Sequence, residues 1–246
     1  MSSRIALVTG GMGGIGTAIS QRLHQEGFKV VVSCSPGSSR KNDWLPIQQA
    51  AGYDFEHIEM DVTDWESTTN ALKHVQDEIG PIAVLVNNAG ITRDASFRKL
   101  TPQDWNAVIG TNLTSLFNTS KQVVEGMLSG GWGRIINISS INGQRGQFGQ
   151  TNYSAAKAGI HGFTMALARE VSGKGVTVNT VSPGYIRTDM TAAIRQDILD
   201  NMIAGIQVGR LGLPEEIASI VAWLASDESA YSTGADFSIN GGMNMQ

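Results

Sequence analysis

A single cysteine, Cys34, stands in a chain of 246 residues. One thiol cannot close an internal disulfide or build a cysteine metal cluster. The four histidines, His24, His57, His74 and His161, are scattered without ligand spacing, so no catalytic metal is expected. Charged residues make up only 16%, against about 25% in an average domain. Lysine and arginine total 18 against 22 acidic residues, a net charge of −4 with no basic stripe. Such a surface is poorly suited to nucleic acid, whose binding is driven by phosphate neutralisation. Nowhere do about 18 apolar residues run together to span a membrane. The apolar stretch Ile5–Val8 is too short for a signal-peptide core. A soluble, cytoplasmic protein is the expectation.

Prolines number six, but glycines number 29, well above the roughly 7% that is usual. They have no collagen-like period, which suggests many places where backbone approaches backbone or ligand closely. Hydrophobic residues at 41% suffice for a substantial core.

Short β-branched runs alternate with helical patterns along the whole chain. Strands are expected at Ile5–Val8, Val30–Ser33, Val84–Val86, Ile135–Ile138 and Val176–Val181, with weaker ones at Phe55–Ile58 and Phe237–Ile239. Several are apolar at consecutive positions, as in strands buried on both faces of a parallel sheet. Helices are expected over 14–26, 64–79, 102–128, 154–173 and 214–226, the third opened by a Thr101-Pro102-Gln103-Asp104 cap. This alternation predicts a single α/β domain over 1–246, doubly wound as a Rossmann fold around about seven parallel strands, with helices on both faces. The glycine-containing stretch 184–212 breaks the alternation and is read as a mobile lid over the strand ends.

Ligands of such sheets sit outside the carboxyl ends of the strands. Thr9-Gly10-Gly11-Met12-Gly13-Gly14-Ile15-Gly16 lies there, between the first strand and the first helix. Glycines permit a sharp turn and a close approach to a pyrophosphate, which the helix N-terminus stabilises. An ordinary structural turn is the alternative. No Lys-Ser/Thr pair follows the last glycine, which excludes a nucleotide-hydrolase loop. An NAD-selective fold usually ends its second strand in an acid. Here that strand ends Val32-Ser33-Cys34-Ser35, followed by Ser38, Ser39, Arg40 and Lys41. This set suits the 2′-phosphate of NADP, with Arg40 as its main ligand and Ser35 beside it; a solvated polar loop is the other reading.

Tyr153 and Lys157 are four apart in a helical segment and share one face. Ser140 follows the strand Ile135–Ile138. Asn112 falls inside the third helix, where asparagine is unfavourable without a reason.

Together with Asp61-Val62, Asn87-Asn88-Ala89-Gly90, Ser139-Ser140, Pro183-Gly184 and the ending Gly234–Gly242, these motifs resemble the short-chain dehydrogenases/reductases over nearly the whole chain. The resemblance implies a catalytic tetrad of Asn112, Ser140, Tyr153 and Lys157. In this reading Tyr153 exchanges a proton, its pKa lowered by Lys157 and by the oxidised nicotinamide. Ser140 donates to the oxyanion, Lys157 holds the nicotinamide ribose, and Asn112 fixes a water that links Lys157 to solvent. It also implies cofactor contacts from Gly10, Met12, Gly13, Gly14, Ile15, Gly16, Asn88, Ala89, Gly90, Ile91, Pro183, Gly184, Ile186 and Thr188. Asp61 and Val62 would hold the adenine, a helix-capping role being the alternative for Asp61.

Within the family, Asn88–Asp94, Arg210–Ile217 and Thr233–Gly242 resemble the 3-oxoacyl thioester reductases. Asn142–Tyr153 and Ser182–Tyr185 resemble those that reduce acetoacetyl-CoA with NADPH to (R)-3-hydroxybutyryl-CoA for polyhydroxybutyrate synthesis. The substrate wall would then comprise Asp94, Ser140, Gln147, Phe148, Gln150, Tyr153 and Tyr185, with Arg195 facing CoA phosphates. The alternative is the reductase of fatty-acid synthesis, whose substrate rides on acyl carrier protein. Two basic residues that grip that carrier correspond to Gly131 and Lys174, so one is missing. An alcohol or steroid dehydrogenase and a non-catalytic NADP-binding sensor or scaffold are further alternatives. The resemblance also implies a homotetramer, formed partly through the small-residue face Ala155, Ala158, Gly159 and Gly162.

Overall fold

The structure, a computed structural model, describes residues 3–188, 191 and 195–245. Seven parallel strands form one sheet in the order β3-β2-β1-β4-β5-β6-β7. They are β1 (Ile5–Val8), β2 (Lys29–Cys34), β3 (Glu56–Glu59), β4 (Ile82–Asn87), β5 (Gly133–Ile138), β6 (Val176–Pro183) and β7 (Asp236–Ile239). Because β1 pairs with both β2 and β4, the strand order reverses there and a crevice opens above β1.

Residues within each strand alternate between two cores. Ala6, Val8, Val30, Val32, Ile136 and Ile138 join one cluster with α1 (Gly14–Gln25) and the helix Pro214–Ala225. Leu7, Val31, Leu85, Ile135 and Val178 join the other, with α3 (Trp65–Glu78), α5 (Ser115–Gly130) and α7 (Thr151–Val171). The consecutive apolar runs thus fill two layers, one on each face of the sheet.

Three features depart from the sequence reading. A helix, α2 (Arg40–Ala50), was not expected; Pro46 lies inside it, and its residues show little apolar periodicity. The expected helix over 102–128 is interrupted. α4 (Pro102–Ile109) gives way to a five-residue π-turn, Gly110–Thr114, before α5 begins. Such a turn re-aims the side chains within it, and Asn112 is fully buried there. Finally, part of the 184–212 stretch is regular, with α8 at Gln196–Ala204, whereas α9 (Pro214–Ala225) stands where the helix over 214–226 was expected. Residues 189, 190 and 192–194 of that stretch lie outside the described residues. Its two ends meet in a bridge between Ile186 and Gly212, with Gly212 N–H donating to the Tyr185 carbonyl at 2.9 Å.

Candidate active site

The glycine turn is fastened to the loop after β4. Thr9 Oγ1 accepts from the N–H groups of Asn88 and Ala89, each at 3.0 Å. Asn88 returns two bonds from Nδ2, to the carbonyls of Thr9 and Gly10. The closeness explains Gly16: a Cβ there would lie 2.8 Å from Asn88 Nδ2. Gly13, Gly14, Ile15 and Gly16 open α1, where the first amide N–H groups have no partner inside the helix. Met12 and Ile186 are buried beside this turn, and Thr188 packs against Gly14. Gly184 follows β6 and abuts Asn240.

Next to the turn, Arg40 Nη1 donates to the Met12 carbonyl at 3.3 Å. The expected phosphate ligand is therefore the first residue of α2 and lies across the glycine loop, with Ser35 exposed nearby. Lys41 is differently engaged: it pairs with Glu59 at the end of β3. The Glu59 carboxylate also accepts from Gly37 N–H at 3.0 Å. Cys34 closes β2 where an acid would stand, and burial raises its thiol pKa.

Asp61 does not cap a helix. Its Oδ1 accepts from Thr63 N–H and Oγ1 at 2.9 and 2.8 Å, while Asp64 caps α3 through Ser67 N–H at 2.6 Å. Val62 is buried beside it, with its carbonyl held by Asn118 Nδ2 at 3.0 Å.

Beyond the turn, α7 delivers Tyr153 and Lys157 from one face to the end of β5. Lys157 Nζ donates to the Ile138 carbonyl at 2.7 Å and lies 5.5 Å from the Tyr153 ring centre. Desolvation holds the Lys157 pKa down at about 8. Burial holds the Tyr153 phenol above its ordinary value, against the hydrogen bond from Ser140, which pulls it down. The expected lowering concerns Lys157 together with the oxidised nicotinamide, whereas within the protein itself burial is the larger influence. The burial that would strengthen an ion pair disfavours both charged forms. Asn112 completes the group. Its Nδ2 donates to the carbonyls of Ile91 and Val108, both at 2.9 Å. Its Oδ1 is buried with no hydrogen-bond partner among the described residues. That oxygen lies against Gly90, as does Lys157 Nζ.

The expected substrate wall is only partly assembled from free groups. Gln147 and Phe148 are exposed. The Gln150 amide is committed at both ends, accepting from Asn142 Nδ2 at 2.9 Å and donating to Asp94 Oδ2 at 2.8 Å. Tyr185 Oη accepts from Arg145 Nη2 at 3.4 Å. Arg195 is exposed and paired with Asp197. It immediately precedes α8.

Several supporting residues were not anticipated. Thr9 is one. Others form a buried network: Asn87 Nδ2 donates to Asn137 Oδ1 at 2.8 Å, and Asn137 Nδ2 donates to Thr164 Oγ1 at 2.9 Å. Thr119 Oγ1 donates to Asn87 Oδ1 at 2.7 Å. These asparagines sit within apolar strand patterns, and that misfit with a buried strand was the available signal.

The donor set fits a nicotinamide dinucleotide: a glycine turn at a helix start, and beside it an orphaned amide oxygen, a buried amine and a phenol. The model of the short chain dehydrogenase family matches residues 4–199. An acetoacetyl-CoA reductase of Cupriavidus necator is 67% identical over 245 residues, covering 100% of each chain. One of Allochromatium vinosum is 52% identical over 244 residues, covering 99% of each. A 3-oxoacyl-acyl-carrier-protein reductase of Vibrio harveyi is 47% identical over 246 residues, 100% of this chain and 99% of its own. The chain belongs to the short-chain dehydrogenase family. It is an oxidoreductase that works with a nicotinamide nucleotide. No helix among the described residues is long and apolar enough to cross a membrane.

Proposed function

We propose that this protein reduces acetoacetyl-CoA to (R)-3-hydroxybutyryl-CoA with NADPH, supplying monomer for polyhydroxybutyrate synthesis as a cytoplasmic homotetramer. The observation that carries the chemistry is the convergence of Ser140, Tyr153, Lys157 and Asn112 beside the glycine turn. The bound nucleotide supplies hydride to the ketone carbon. Ser140 donates a hydrogen bond to the ketone oxygen as charge builds on it. Tyr153 Oη transfers its proton to that oxygen, and the alcohol leaves as product. Lys157 stands behind the phenol, favouring the phenolate left by that transfer. Asn112 Oδ1, without a hydrogen-bond partner among the described residues, holds the water through which Lys157 exchanges protons with solvent. Asn88, Ala89, Gly90 and Ile91 lie along the nicotinamide side, and Asp61 and Val62 at the adenine.

NADPH is favoured because β2 ends in Cys34 and Ser35 rather than an acid, while Arg40 stands across the turn at Met12. The CoA ester is favoured by two relatives named acetoacetyl-CoA reductase at 67% and 52% identity. In this reading the 184–212 segment is the lid of a single domain, with Arg195 turned to CoA phosphates. The exposed small residues Ala155, Ala158 and Gly162 of α7 suit close contact between subunits. The test is a competition between acetoacetyl-CoA and acetoacetyl-acyl carrier protein at equal concentration. Preference for the CoA ester supports the assignment; preference for the carrier moves the enzyme to fatty-acid synthesis.

A further inference from the structure

A chain of three residues leads from the surface to Ser140. Asp94 Oδ2 accepts from Gln150 Nε2 at 2.8 Å, and Gln150 Oε1 accepts from Asn142 Nδ2 at 2.9 Å. The main-chain N–H of Asn142 then donates to Ser140 Oγ at 3.1 Å. The chain runs inward, from exposed Asp94 through half-buried Gln150 to Asn142, which is 6% exposed. Its outer end is fixed on both sides. Asn152 Nδ2 donates to the Arg93 carbonyl at 3.1 Å, and Ala95 N–H donates to the Gly149 carbonyl at 2.9 Å. Its inner end lies in α6 (Ile141–Arg145), which Ser140 caps. So short a helix has no stability of its own, and its tethers decide where it sits. One tether is the packing of Gly143 on the Lys157 main chain, where a Cβ would lie 2.7 Å from the carbonyl carbon. The other is the Asn142 side chain.

Counting donors gives the chain one direction. A carboxylate accepts and does not donate, so Asp94 takes the Gln150 amide hydrogens. Gln150 then presents its oxygen to Asn142, which must answer with its own NH2 group. Asn142 Oδ1 is the atom left over, and it is buried with no hydrogen-bond partner among the described residues. Such an oxygen is costly, yet turning the Asn142 amide over would set oxygen against oxygen at Gln150. At the inner end, the Asn142 N–H occupies the accepting side of the Ser140 hydroxyl. The one hydroxyl hydrogen is left for the ketone oxygen.

Resting on the reductase reading above, we propose that Asn142 and Gln150 are positioning residues of the reduction. Anchored on Asp94, they hold α6 so that Ser140 stays a donor to the ketone oxygen. Gln150 is also the residue at which α7 begins, so one side chain ties the Ser140 segment to the helix that bears Tyr153. Asp94 and Gln150 thus act on the substrate through Ser140 rather than as its wall.

The direction of the chain supplies the test. Gln150→Glu keeps an acceptor for Asn142 but sets a second carboxylate against Asp94. Adding Asp94→Asn supplies a donor there again. In initial rates on acetoacetyl-CoA, Gln150→Glu is expected to lower kcat about tenfold, as small misplacements of catalytic groups do, with KM for NADPH little changed. The double variant is expected to recover most of that loss. Wild-type kcat in Gln150→Glu, or a double variant no faster than Gln150→Glu, overturns the proposal. A double-mutant cycle reads the route through Ser140. Asn142→Ala is expected to lower kcat about tenfold in the wild type and no further in a Ser140→Ala background. Equal losses in both backgrounds overturn it. By NMR, the Asn142 amide is expected to shift in Gln150→Glu and to return toward its wild-type position in the double variant. An amide that stays still overturns the chain, whether or not the enzyme turns over acetoacetyl-CoA. Inactivity of the wild type on this ester bears on the reductase reading, and the NMR arm then judges the chain.

Discussion

The ammonium of Lys157 lies 5.5 Å from the centre of the Tyr153 ring, one helical turn away. It is 4% exposed, and desolvation brings its pKa down from 10.5 to about 8. Below about pH 8 the folded protein therefore carries a buried charge at a cost in stability. Between about pH 8 and 10.5 the unfolded chain binds more protons than the folded one, so the cost is relieved as pH rises. Lys157→Met is expected to be inactive yet more stable than wild type near neutral pH, by about 2 kcal/mol after loss of the bond to Ile138. Thermal melts across this range check the sign: the difference narrows above pH 8.

Gly90 is constrained by its neighbour. A Cβ there would lie 2.6 Å from Asn112 Oδ1, whose residue is fully buried in the π-turn. Gly90→Ala is expected to lose about 1–3 kcal/mol of stability, the usual result of overpacking. The same shift displaces Asn112 and lowers kcat. Urea unfolding and steady-state rates measure the two effects on one preparation.

The proposed preference for NADPH rests on Arg40. Arg40→Ala removes a charge-assisted contact worth about 1.5–3 kcal/mol. KM for NADPH is expected to rise about tenfold or more, with KM for NADH little changed. Equal changes for both would place the 2′-phosphate elsewhere.

Phe148 is 90% exposed, so its truncation leaves the core intact. Phe148→Ala is expected to keep stability within about 0.5 kcal/mol while admitting longer 3-oxoacyl chains. Rates on a series of 3-oxoacyl-CoA esters read the outcome.

The parts of this protein legible in its sequence are those with strong local signals. Ile5–Val8 and Ile135–Ile138 are apolar at every position or nearly so, which fits only burial on both faces of a sheet. The four-residue spacing of Tyr153 and Lys157 puts both on one face of α7 without reference to anything distant. What stayed hidden depends on departures from regular periodicity or on long-range contacts. The π-turn at Gly110–Thr114 adds one residue to a turn, and nothing in GTNLT announces it. In α2, Pro46 and a weak apolar pattern mask a helix that Trp44 anchors by packing against Phe55. The bond from Gln150 to Asp94 joins residues 56 apart, and the contact of His161 with Asp236 forms only when β7 is laid beside β6. The desolvation that raises the Tyr153 pKa in the protein itself depends on the depth of the site, which the four-residue spacing does not reveal.

The central claim is that Tyr153 and Lys157 serve the reduction of a short 3-oxoacyl-CoA by NADPH. Initial-rate oxidation of NADPH with acetoacetyl-CoA, by wild type and by Tyr153→Phe, tests it most directly. The account predicts rapid oxidation by the wild type and a loss of several orders of magnitude in the variant, which keeps the ring but cannot supply the proton. A wild type that does not oxidise NADPH with this ester, or a Tyr153→Phe variant that does so at the wild-type rate, would contradict it.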